Sequence, residues 1–514
     1  MTHAAEFHLC IIQPAGYVHS LGLLDPARYV RHQLRRLGLN VTLAKNRLRE
    51  DAINIVFGAH LGFDPQLRER NACVFFNLEQ LGLGGASVSA AYLKLLRGSA
   101  VVDYDAANVS AYCSAADDVP LLPFLHAPYL ADAQALELEQ RPIDLLFFGS
   151  MNERRRAFIE RIEACGVSVS QFDQAIYGPE RDHFIRQAKA VLNCHFYETS
   201  RFEQARVAHC LSLGTPVISE RSAATQPAEG FEAAVTWLEG DRLEAFFGEE
   251  FARPAYFAQA QAQLAAFAQH DALEAYADLV GFCRGYAQGH ARGKPGVWCA
   301  QQLNIGSGRD YRPGWLNVDV LERAEPDLLL DLAQPLTLPL DATTRFGAPL
   351  RLAAGGLQRI CASNVLEHVP DLPQLMSNAL ELLAEGGEFE IEVPYEKALT
   401  AWQDPTHLRA LNENSWIYYT EWFWYLGWFT HRFEVGASTW LDARLQPCAK
   451  DGAAFMRVLL RKVCTTAQER NLARTMRADF GGIDDDVPAA PPALPALPDS
   501  MQRQNRTLAC DATA

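Results

Sequence analysis

The stretch that decides the fold is Leu303–Asp319, which reads LNIGSGRDYRPGWLNVD. A short apolar run ends in two glycines one residue apart, Gly306 and Gly308, and a second apolar run ends in Asp319. Glycine lets the chain turn sharply off a strand with its backbone close to a ligand, where a Cβ would collide. An acid at the carboxyl end of the next strand can accept hydrogen bonds from two ribose hydroxyls. The stretch therefore predicts a doubly wound α/β sheet that binds an adenosine-containing cofactor.

This stretch departs from the dinucleotide-binding fingerprint in two respects. The third glycine of that fingerprint is absent, and Trp315 follows Gly306 by only nine positions. Such a spacing is too short for a full crossover helix between two parallel strands. An NAD site is therefore the weaker interpretation of the glycine pair.

Three further segments follow in the same half of the chain. They read DLLLDL, ending at Leu332, ICASNVLEHV, ending at Val369, and LLAEGGEFEIEVP, ending at Pro394. Together with the glycine loop they resemble the class I S-adenosylmethionine-dependent methyltransferases, especially the small-molecule and sugar-modifying group. The resemblance implies a methyltransferase domain with a doubly wound sheet at residues 299–465. A doubly wound domain that has lost its ligand is the alternative.

The same resemblance implies which residues contact S-adenosylmethionine. They lie in the glycine loop and at the strand ends that follow it: Asn304, Gly306, Ser307, Gly308, Asp319, Asp331, Asn364 and Glu367. Asp331 has two interpretations, since it could face the adenine amine or be an ordinary surface acid.

Two histidines are candidate catalytic residues. In the resembling family the strand that ends near Asn364 lies beside the methyl donor and the acceptor, so His368 could remove a hydroxyl proton. A histidine that only shapes the pocket is the alternative. His407 closes a DPTH element like one in the family segment that covers the active site, although Asp404 before Pro405 is also typical of a plain turn. No metal-ligand spacing is recognisable, so no metal is expected.

An aromatic-rich run occupies residues 416–433. Aromatic faces suit the apolar faces of sugars or of aromatic acceptors. A dense aromatic cluster is also typical of a core or of a subunit contact. The run therefore leaves two interpretations open, an acceptor site and a structural cluster.

The composition excludes several classes of function. A formal net charge of −16 disfavours nucleic acid as a partner, because phosphate-binding surfaces need clustered lysine and arginine. The start of the chain has no basic stretch before an apolar core, and no apolar run approaches the roughly 20 residues that cross a bilayer. The 12 cysteines have no CxxC pair or regular spacing, which indicates free thiols. These features predict a cytoplasmic enzyme and leave its oligomeric state open.

The first half of the chain predicts two further α/β units. Short apolar runs alternate with helical patterns throughout it, which is typical of parallel sheets covered by helices on both faces. Two such units in succession, at residues 1–135 and 136–285, resemble the two Rossmann-like lobes of a GT-B glycosyltransferase. In such a layout the cleft between the lobes lies at the carboxyl ends of the strands.

Two motifs carry the GT-B resemblance, DLLFFGS at 144–150 and FYETSRFEQARVAHCLSLGTPVISE at 196–220. The paired glutamates of the retaining members are missing, because Arg201 and His209 occupy those places. The resemblance implies a nucleotide-sugar donor contacted by Gly149, Ser150, Arg201, Glu203 and Arg206. An arginine could neutralise a diphosphate and Glu203 could accept from a ribose. A first-turn glutamate paired with an arginine one turn on is also ordinary helix chemistry.

Two segments lie outside these units. Residues 286–298, rich in glycine and basic residues, predict a linker, and residues 466–514, rich in alanine and proline, predict a disordered tail. The whole sequence predicts a methyltransferase fused to a glycosyltransferase, acting on a glycan or small-molecule acceptor in polysaccharide biosynthesis, with oxygen as the methylated atom. Two alternatives remain open. The first half could be a non-catalytic module that binds a glycan or a protein, or both sites could be degenerate and the chain a scaffold.

Overall fold

The computed structural model describes residues 6–82, 85–113, 119–132, 136–172, 174–196, 201–223, 225–239, 241–291 and 296–476. These residues form three α/β units, each built on a largely parallel sheet. Parallel strands need crossover connections and covered faces, so alternating apolar runs and helical patterns are the expected sequence signature. The predicted α/β class is confirmed, whereas the GT-B type of the first two units stays a prediction.

The first unit has five parallel strands in the order β2-β1-β3-β4-β5. The strands are β1 (Phe7–Ile11), β2 (Val41–Lys45), β3 (Ile53–Phe57), β4 (Cys73–Asn77) and β5 (Ala100–Asp103). The helices are α1 (Leu24–Arg36), α2 (Ala90–Arg97) and α3 (Ala106–Val109). Every residue of β1, β3 and β4 is buried, as expected for strands that are covered on both faces.

The second unit has five parallel strands in the order β10-β9-β8-β6-β7. The strands are β6 (Ile143–Leu146), β7 (Val169–Ser170), β8 (Ala188–Asn193), β9 (Val217–Glu220) and β10 (Thr236–Leu238). The helices are α4 (Glu153–Ala164), α5 (Gly178–Arg186), α6 (Gln204–Ser212), α7 (Leu243–Ala245), α8 (Pro254–Phe267) and α9 (Leu273–Ala291). Helix α9 packs on the first unit, where Tyr276 meets Tyr29 with ring centroids 5.9 Å apart. One hydrophobic core therefore spans both units.

The third unit has a seven-stranded sheet in the order β13-β12-β11-β16-β17-β19-β18. Its strands are β11 (Gln302–Ile305), β12 (Leu316–Asp319), β13 (Leu328–Leu329), β16 (Leu357–Ser363), β17 (Leu383–Pro394), β18 (His431–Leu441) and β19 (Phe455–Cys464). A separate hairpin joins β14 (Leu340–Thr343) to β15 (Pro349–Leu352), and the helices are α10 (Leu372–Leu382), α11 (Ile417–Thr420) and α12 (Ala467–Thr475). The first five strands of the order run parallel, and β19 runs antiparallel to β17 and β18.

Strands β12 and β13 are added on one side of β11, and β16 and β17 are added on its other side, so the strand order reverses between β11 and β16. Open doubly wound sheets bind ligands at such a switch point, outside the carboxyl ends of the strands. Residues 306–315 connect β11 to β12 as a loop with no helix, which agrees with the short spacing in the sequence. The fold therefore places the glycine loop at the switch point.

Two predicted boundaries need correction. Helix α9 continues to Ala291, so the segment expected to be a linker begins as helix, and residues 292–295 lie outside the described part of the chain. The expected disorder from residue 466 is wrong for its first residues, because Thr466 and Glu469 form a capping box that starts α12. Arg432 holds this helix to β18, since its Nε donates to Glu469 at 2.8 Å. Residues 477–514 lie outside the described part.

None of the helices in the described ranges is long and apolar enough to cross a membrane.

The first unit docks against the third through a buried arginine. Arg47 is 7% exposed, and its Nε and Nη2 donate to the carbonyls of Glu325 and Ala324 at 3.0 and 2.9 Å. Its guanidinium carbon lies 4.3 Å from the ring centroid of Tyr311. These contacts join the segment after β2 of the first unit to the loops on either side of β12 in the third.

We expect Arg47→Met to loosen this contact. The change removes the donor to three carbonyls, those of Glu325, Ala324 and Lys45, and a cation–π contact, which should cost about 2 to 3 kcal/mol. Calorimetric unfolding should then show a transition at least about 4 °C lower than in the wild type. Arg161→Met is the matched control, since Arg161 pairs with Glu244 at the surface and its loss should leave the transition in place. An unchanged transition in Arg47→Met would contradict the assigned role.

Candidate cofactor and active site

The glycine loop is tied to the end of β12 by Asp319. The backbone of Gly306 and Gly308 is left-handed, with φ of +63° and +37°. Gly308 N–H donates to Asp319 Oδ2 at 2.9 Å, and Leu321 N–H donates to Asp319 Oδ1 at 2.8 Å. Asp319 is only 7% exposed. Its carboxylate thus fixes the loop on one side and the turn after β12 on the other.

Gly306 also brings the loop against the end of β16. A Cβ on Gly306 would overlap the Cγ2 atom of Val365. The sequence indicated that this glycine leaves room for a ligand, but the nearest obstacle is Val365. Between the two glycines, Ser307 N–H donates to the carbonyl of Val318 at 3.0 Å, and the buried Ser307 hydroxyl has no hydrogen-bond partner among the described residues.

Asn304 supports the glycine loop from within the protein, and its assignment to the cofactor stays a prediction. It is buried, and its amide donates to the carbonyl of Asp310 at 2.6 Å and to Asn317 Oδ1 at 3.1 Å. The backbone N–H of Asn317 in turn donates to Asp327 Oδ2 at 2.8 Å. Tyr311 donates to the other oxygen of Asp327 at 2.7 Å. This buried network shapes the loop between β11 and β12, and no sequence motif marked it.

The remaining predicted cofactor residues lie at strand ends. Asp331 follows β13 on the surface, where its Oδ1 accepts from Ala333 N–H at 2.9 Å, so the interpretation as an ordinary surface acid describes its contacts. Asn364 follows β16, is exposed and has a left-handed φ of +53°. Its N–H donates to the carbonyl of Glu392 at 2.8 Å, which aligns the ends of β16 and β17.

Glu367, His368 and His407 come together beside the end of β16. The rings of His368 and His407 have centroids 4.7 Å apart, and His407 Nε2 lies 4.0 Å from Glu367 Oε1. Glu367 is 2% exposed, and burial raises the pKa of its carboxyl to about 7. The sequence had assigned Glu367 to the cofactor and the two histidines to catalysis, without indicating that the three side chains meet.

The DPTH element holds these histidines in place. Asp404 Oδ1 accepts from Thr406 N–H at 2.8 Å and from the Thr406 hydroxyl at 2.7 Å, so Asp404 is the turn former that the sequence offered as an alternative. The Thr406 hydroxyl oxygen lies 3.0 Å from His368 Nδ1. His407 Nδ1 lies 2.9 Å from the carbonyl of Ala401. The element therefore orients both rings from their Nδ1 sides.

A cleft of about 780 Å³ lies between the first and second units. Gly149, Ser150, Glu203 and Arg206 line it, and their contact with a nucleotide sugar stays a prediction. Gly149 has a φ of +134°, and a Cβ there would lie 3.2 Å from Arg206 Nη2. The carboxylate of Glu203 is 3.5 Å from Arg206 Nη1, so the ordinary helix pairing is also present. Residues 197–200 of the second motif lie outside the described part.

Arg201 does not line this cleft, contrary to its assignment. Its Nε lies 2.5 Å from Asp105 Oδ2, and its Nη1 donates to the carbonyl of Leu81 at 3.3 Å. These contacts attach the second unit to the first and neutralise the charge. Arg181 lines the cleft instead and was missed, because it lies in a helix without a recognisable motif.

Comparison with known proteins gives similarities to methyltransferases and to one viral protein, and no family model matches the chain. The chain is 26% identical over 158 residues to uncharacterized protein L140 of Acanthamoeba polyphaga mimivirus, a match over 29% of this chain and 49% of the viral protein. The chain thus spans about half the length of that relative. Similar solved structures include a SAM-dependent methyltransferase from Archaeoglobus fulgidus, which is 16% identical in sequence. That match covers 36% of this chain and 93% of the archaeal chain, with a TM-score of 0.22. A methyltransferase from Mesorhizobium loti has 15% identity, coverages of 34% and 96%, and a TM-score of 0.21.

Proposed function

We propose that residues 299–465 form an S-adenosylmethionine-dependent methyltransferase. The observation that carries the proposal is the glycine loop bonded to Asp319 at the switch point of the third sheet. Asp319 lies at the carboxyl end of β12, where an acid can accept hydrogen bonds from ribose hydroxyls. Gly308 beside it presents backbone without a side chain. The glycine loop and Asp319 together form what we call the cofactor cradle, and this arrangement suits an adenosine group. The loop is too short for the dinucleotide fingerprint.

The chemistry would then take place beside the end of β16. When bound, S-adenosylmethionine supplies a methyl group already activated on a sulfonium. Val365 lies against Gly306, so the residues that follow Val365, Glu367 and His368, adjoin the cofactor cradle. We propose that His368 and His407 hold the acceptor, a hydroxyl of a glycan or other glycoconjugate. Such positioning supports methyl transfer strongly, because alignment alone can lower a barrier by about 7 to 11 kcal/mol.

The test is a calorimetric titration of S-adenosylmethionine into the full-length chain. We expect one site per chain with a micromolar dissociation constant, and competition by S-adenosylhomocysteine. Absence of binding by either compound to folded protein would refute the proposal. NAD, titrated in parallel, is expected not to bind.

A second activity is supported by the cleft between the first two units. We propose that this cleft binds a nucleotide-sugar donor for glycosyl transfer. Arg206 provides positive charge for a diphosphate, and Gly149 lets the chain approach closely at the end of β6. Arg181 also lines the cleft, but its guanidinium pairs with Asp25 and Asp182 at 2.8 and 2.6 Å. Arg206 Nη1 is buried without a hydrogen-bond partner among the described residues, although Glu203 lies 3.5 Å away. An anion in the cleft would supply that partner.

We expect Arg206→Ala to weaken nucleoside-diphosphate binding about 10- to 100-fold, because hydrogen bonds to charged groups contribute about 1.5 to 3 kcal/mol. UDP and GDP titrations into full-length protein provide the measurement. Arg221→Ala is the control, since Arg221 pairs with Glu232 outside the cleft and its loss should leave the affinity unchanged. If the wild type binds neither nucleotide but binds a glycan, the first half is a binding module and the transferase proposal fails.

A further inference from the structure

The cluster of Glu367, His368 and His407 contains three groups that commonly bind metal ions. One donor atom from each residue lies within 4.8 Å of the donor atoms of the other two. Glu367 and His368 come from the short turn after β16, and His407 comes from the loop after β17. Because the donors come from two segments far apart in sequence, they form no ligand-spacing motif.

The Glu367 carboxylate lacks a partner of its own. Both oxygens are buried, and neither has a hydrogen-bond partner within the ranges that the structure describes. His407 Nε2 lies 4.0 Å from Glu367 Oε1, beyond hydrogen-bonding distance. Burying a carboxylate without compensation is costly, so the site is suited to a cation.

Both histidines are oriented as metal ligands usually are. A carbonyl oxygen can only accept, so His407 Nδ1 carries the hydrogen in its contact with Ala401. The Thr406 hydroxyl donates to Asp404, so its oxygen accepts from His368 Nδ1. Each neutral ring then has its free lone pair on Nε2. Metal-binding histidines characteristically donate their other ring N–H to a carbonyl, carboxylate or similar group, which fixes the tautomer and the ring orientation.

We propose that Glu367, His368 and His407 bind a divalent transition-metal ion, with Zn²⁺ as the reference ion. Two imidazoles and one carboxylate are a ligand set that Zn²⁺ and related ions accept, with at least one coordination position left open. Ligands about 2.0 to 2.2 Å from a tetrahedral ion lie roughly 3.4 Å from one another, so donors as far as 4.8 Å apart need to approach by up to about 1.4 Å. Rotation of the Glu367 side chain, whose oxygens have no hydrogen-bond partner among the described residues, would allow such a shift.

The open position gives the site a role in the reaction, and this part rests on the proposed methyltransferase function. A divalent ion there would bind the acceptor hydroxyl oxygen and orient it toward the cofactor cradle. The ion would also stabilise that oxygen as its proton passes to solvent water. The oxygen would then form the bond to the methyl carbon as the methyl–sulfur bond breaks, which leaves S-adenosylhomocysteine. Acceptors with two neighbouring oxygen atoms, such as a sugar diol, would suit a site with more than one open position.

The test uses full-length protein that has been treated with a chelator and dialysed. Titration with ZnCl₂ by calorimetry, and with Co²⁺ followed by visible absorption, is expected to give one tight ion per chain. Glu367→Gln keeps the shape of the side chain and His407→Ala removes one ligand. Each change should weaken Zn²⁺ binding by about 100-fold or more.

His431→Ala is the matched control. His431 Nε2 lies 3.4 Å from Cys464 Sγ, a surface pair that could itself bind zinc. The proposal predicts that His431→Ala leaves the tight site intact. Loss of the tight ion in this variant, or its full retention in both Glu367→Gln and His407→Ala, would overturn the proposal.

Titration of S-adenosylmethionine into metal-free wild-type protein separates the two proposals. Cofactor binding without any Zn²⁺ or Co²⁺ binding would overturn the metal site and leave the methyltransferase function standing. Metal binding without cofactor binding would overturn the methyltransferase function and leave the metal site standing. The wild-type titrations decide the question even if a variant fails to fold, which circular dichroism would reveal.

Discussion

Replacing Asp319 by alanine is expected to abolish S-adenosylmethionine binding at accessible concentrations. The carboxylate accepts from Gly308 N–H and Leu321 N–H, so its removal frees the glycine loop from the end of β12. The proposed bonds to the ribose disappear as well. Hydrogen bonds to a charged group contribute about 1.5 to 3 kcal/mol each, so losing two should weaken binding by more than about 100-fold. Calorimetric titration of the full-length variant measures this directly.

Two further variants sharpen the result. Asp319→Asn keeps the size but has one acceptor oxygen instead of two, so its affinity should lie between those of wild type and Asp319→Ala. Asp341→Ala removes an exposed carboxylate that pairs with Arg351 at the surface, and it should bind like wild type. Wild-type affinity in Asp319→Ala would show that the cofactor, if it binds, does not use this strand end.

The local parts of the fold and of the site could be predicted from the sequence. A glycine pair after one apolar run and an acid after the next specify a turn, two parallel strands and a carboxylate at a sheet edge. The structure has these features, with Asp319 at the last position of β12 and bonded to Gly308. Such patterns are reliable because each depends on a few neighbouring residues and on strand geometry.

Other assignments depended on contacts between distant segments and could not be predicted. Asn304 is adjacent to the glycine loop in sequence, yet its amide is used by Asp310 and Asn317 beneath that loop. Arg201 lies in the nucleotide-sugar motif, yet Asp105 of the first unit neutralises it. In both cases a competing hydrogen-bond partner, absent from the motif, decides what the side chain contacts.

The contact between His368 and His407 in the candidate active site could not be predicted from the sequence either. His368 and His407 were recognised separately, each from a local motif. Their mutual contact, and the unpartnered carboxylate of Glu367 beside them, depends on how the loop after β17 folds back onto the end of β16. Leu408 N–H donates to the carbonyl of Glu367 at 2.8 Å and fixes that approach. A sequence pattern records the groups but not this return of the chain.

Gly306→Ala should combine a large loss of stability with loss of cofactor binding. The left-handed backbone at Gly306 costs an alanine about 1 kcal/mol, and the new Cβ would overlap Val365. Val365 is β-branched and begins the turn that carries Glu367 and His368, so it cannot rotate away freely. We expect a total cost of about 3 kcal/mol, from strain and overpacking together, and a Kd for S-adenosylmethionine weakened at least about tenfold. Calorimetric unfolding and titration measure the two effects.

A double variant and a matched glycine separate the two costs. Val365→Ala removes the atoms that the new Cβ would overlap, so Gly306→Ala/Val365→Ala should recover much of the cofactor affinity and retain only the backbone cost. Gly386 has a similar φ of +77° and open space around it, so Gly386→Ala should pay the backbone cost alone. Equal destabilisation by Gly306→Ala and Gly386→Ala would mean that the contact with Val365 does not constrain the loop. Recovery in the double variant would instead establish that the cofactor cradle and the turn bearing Glu367 and His368 are held in register by this one steric contact.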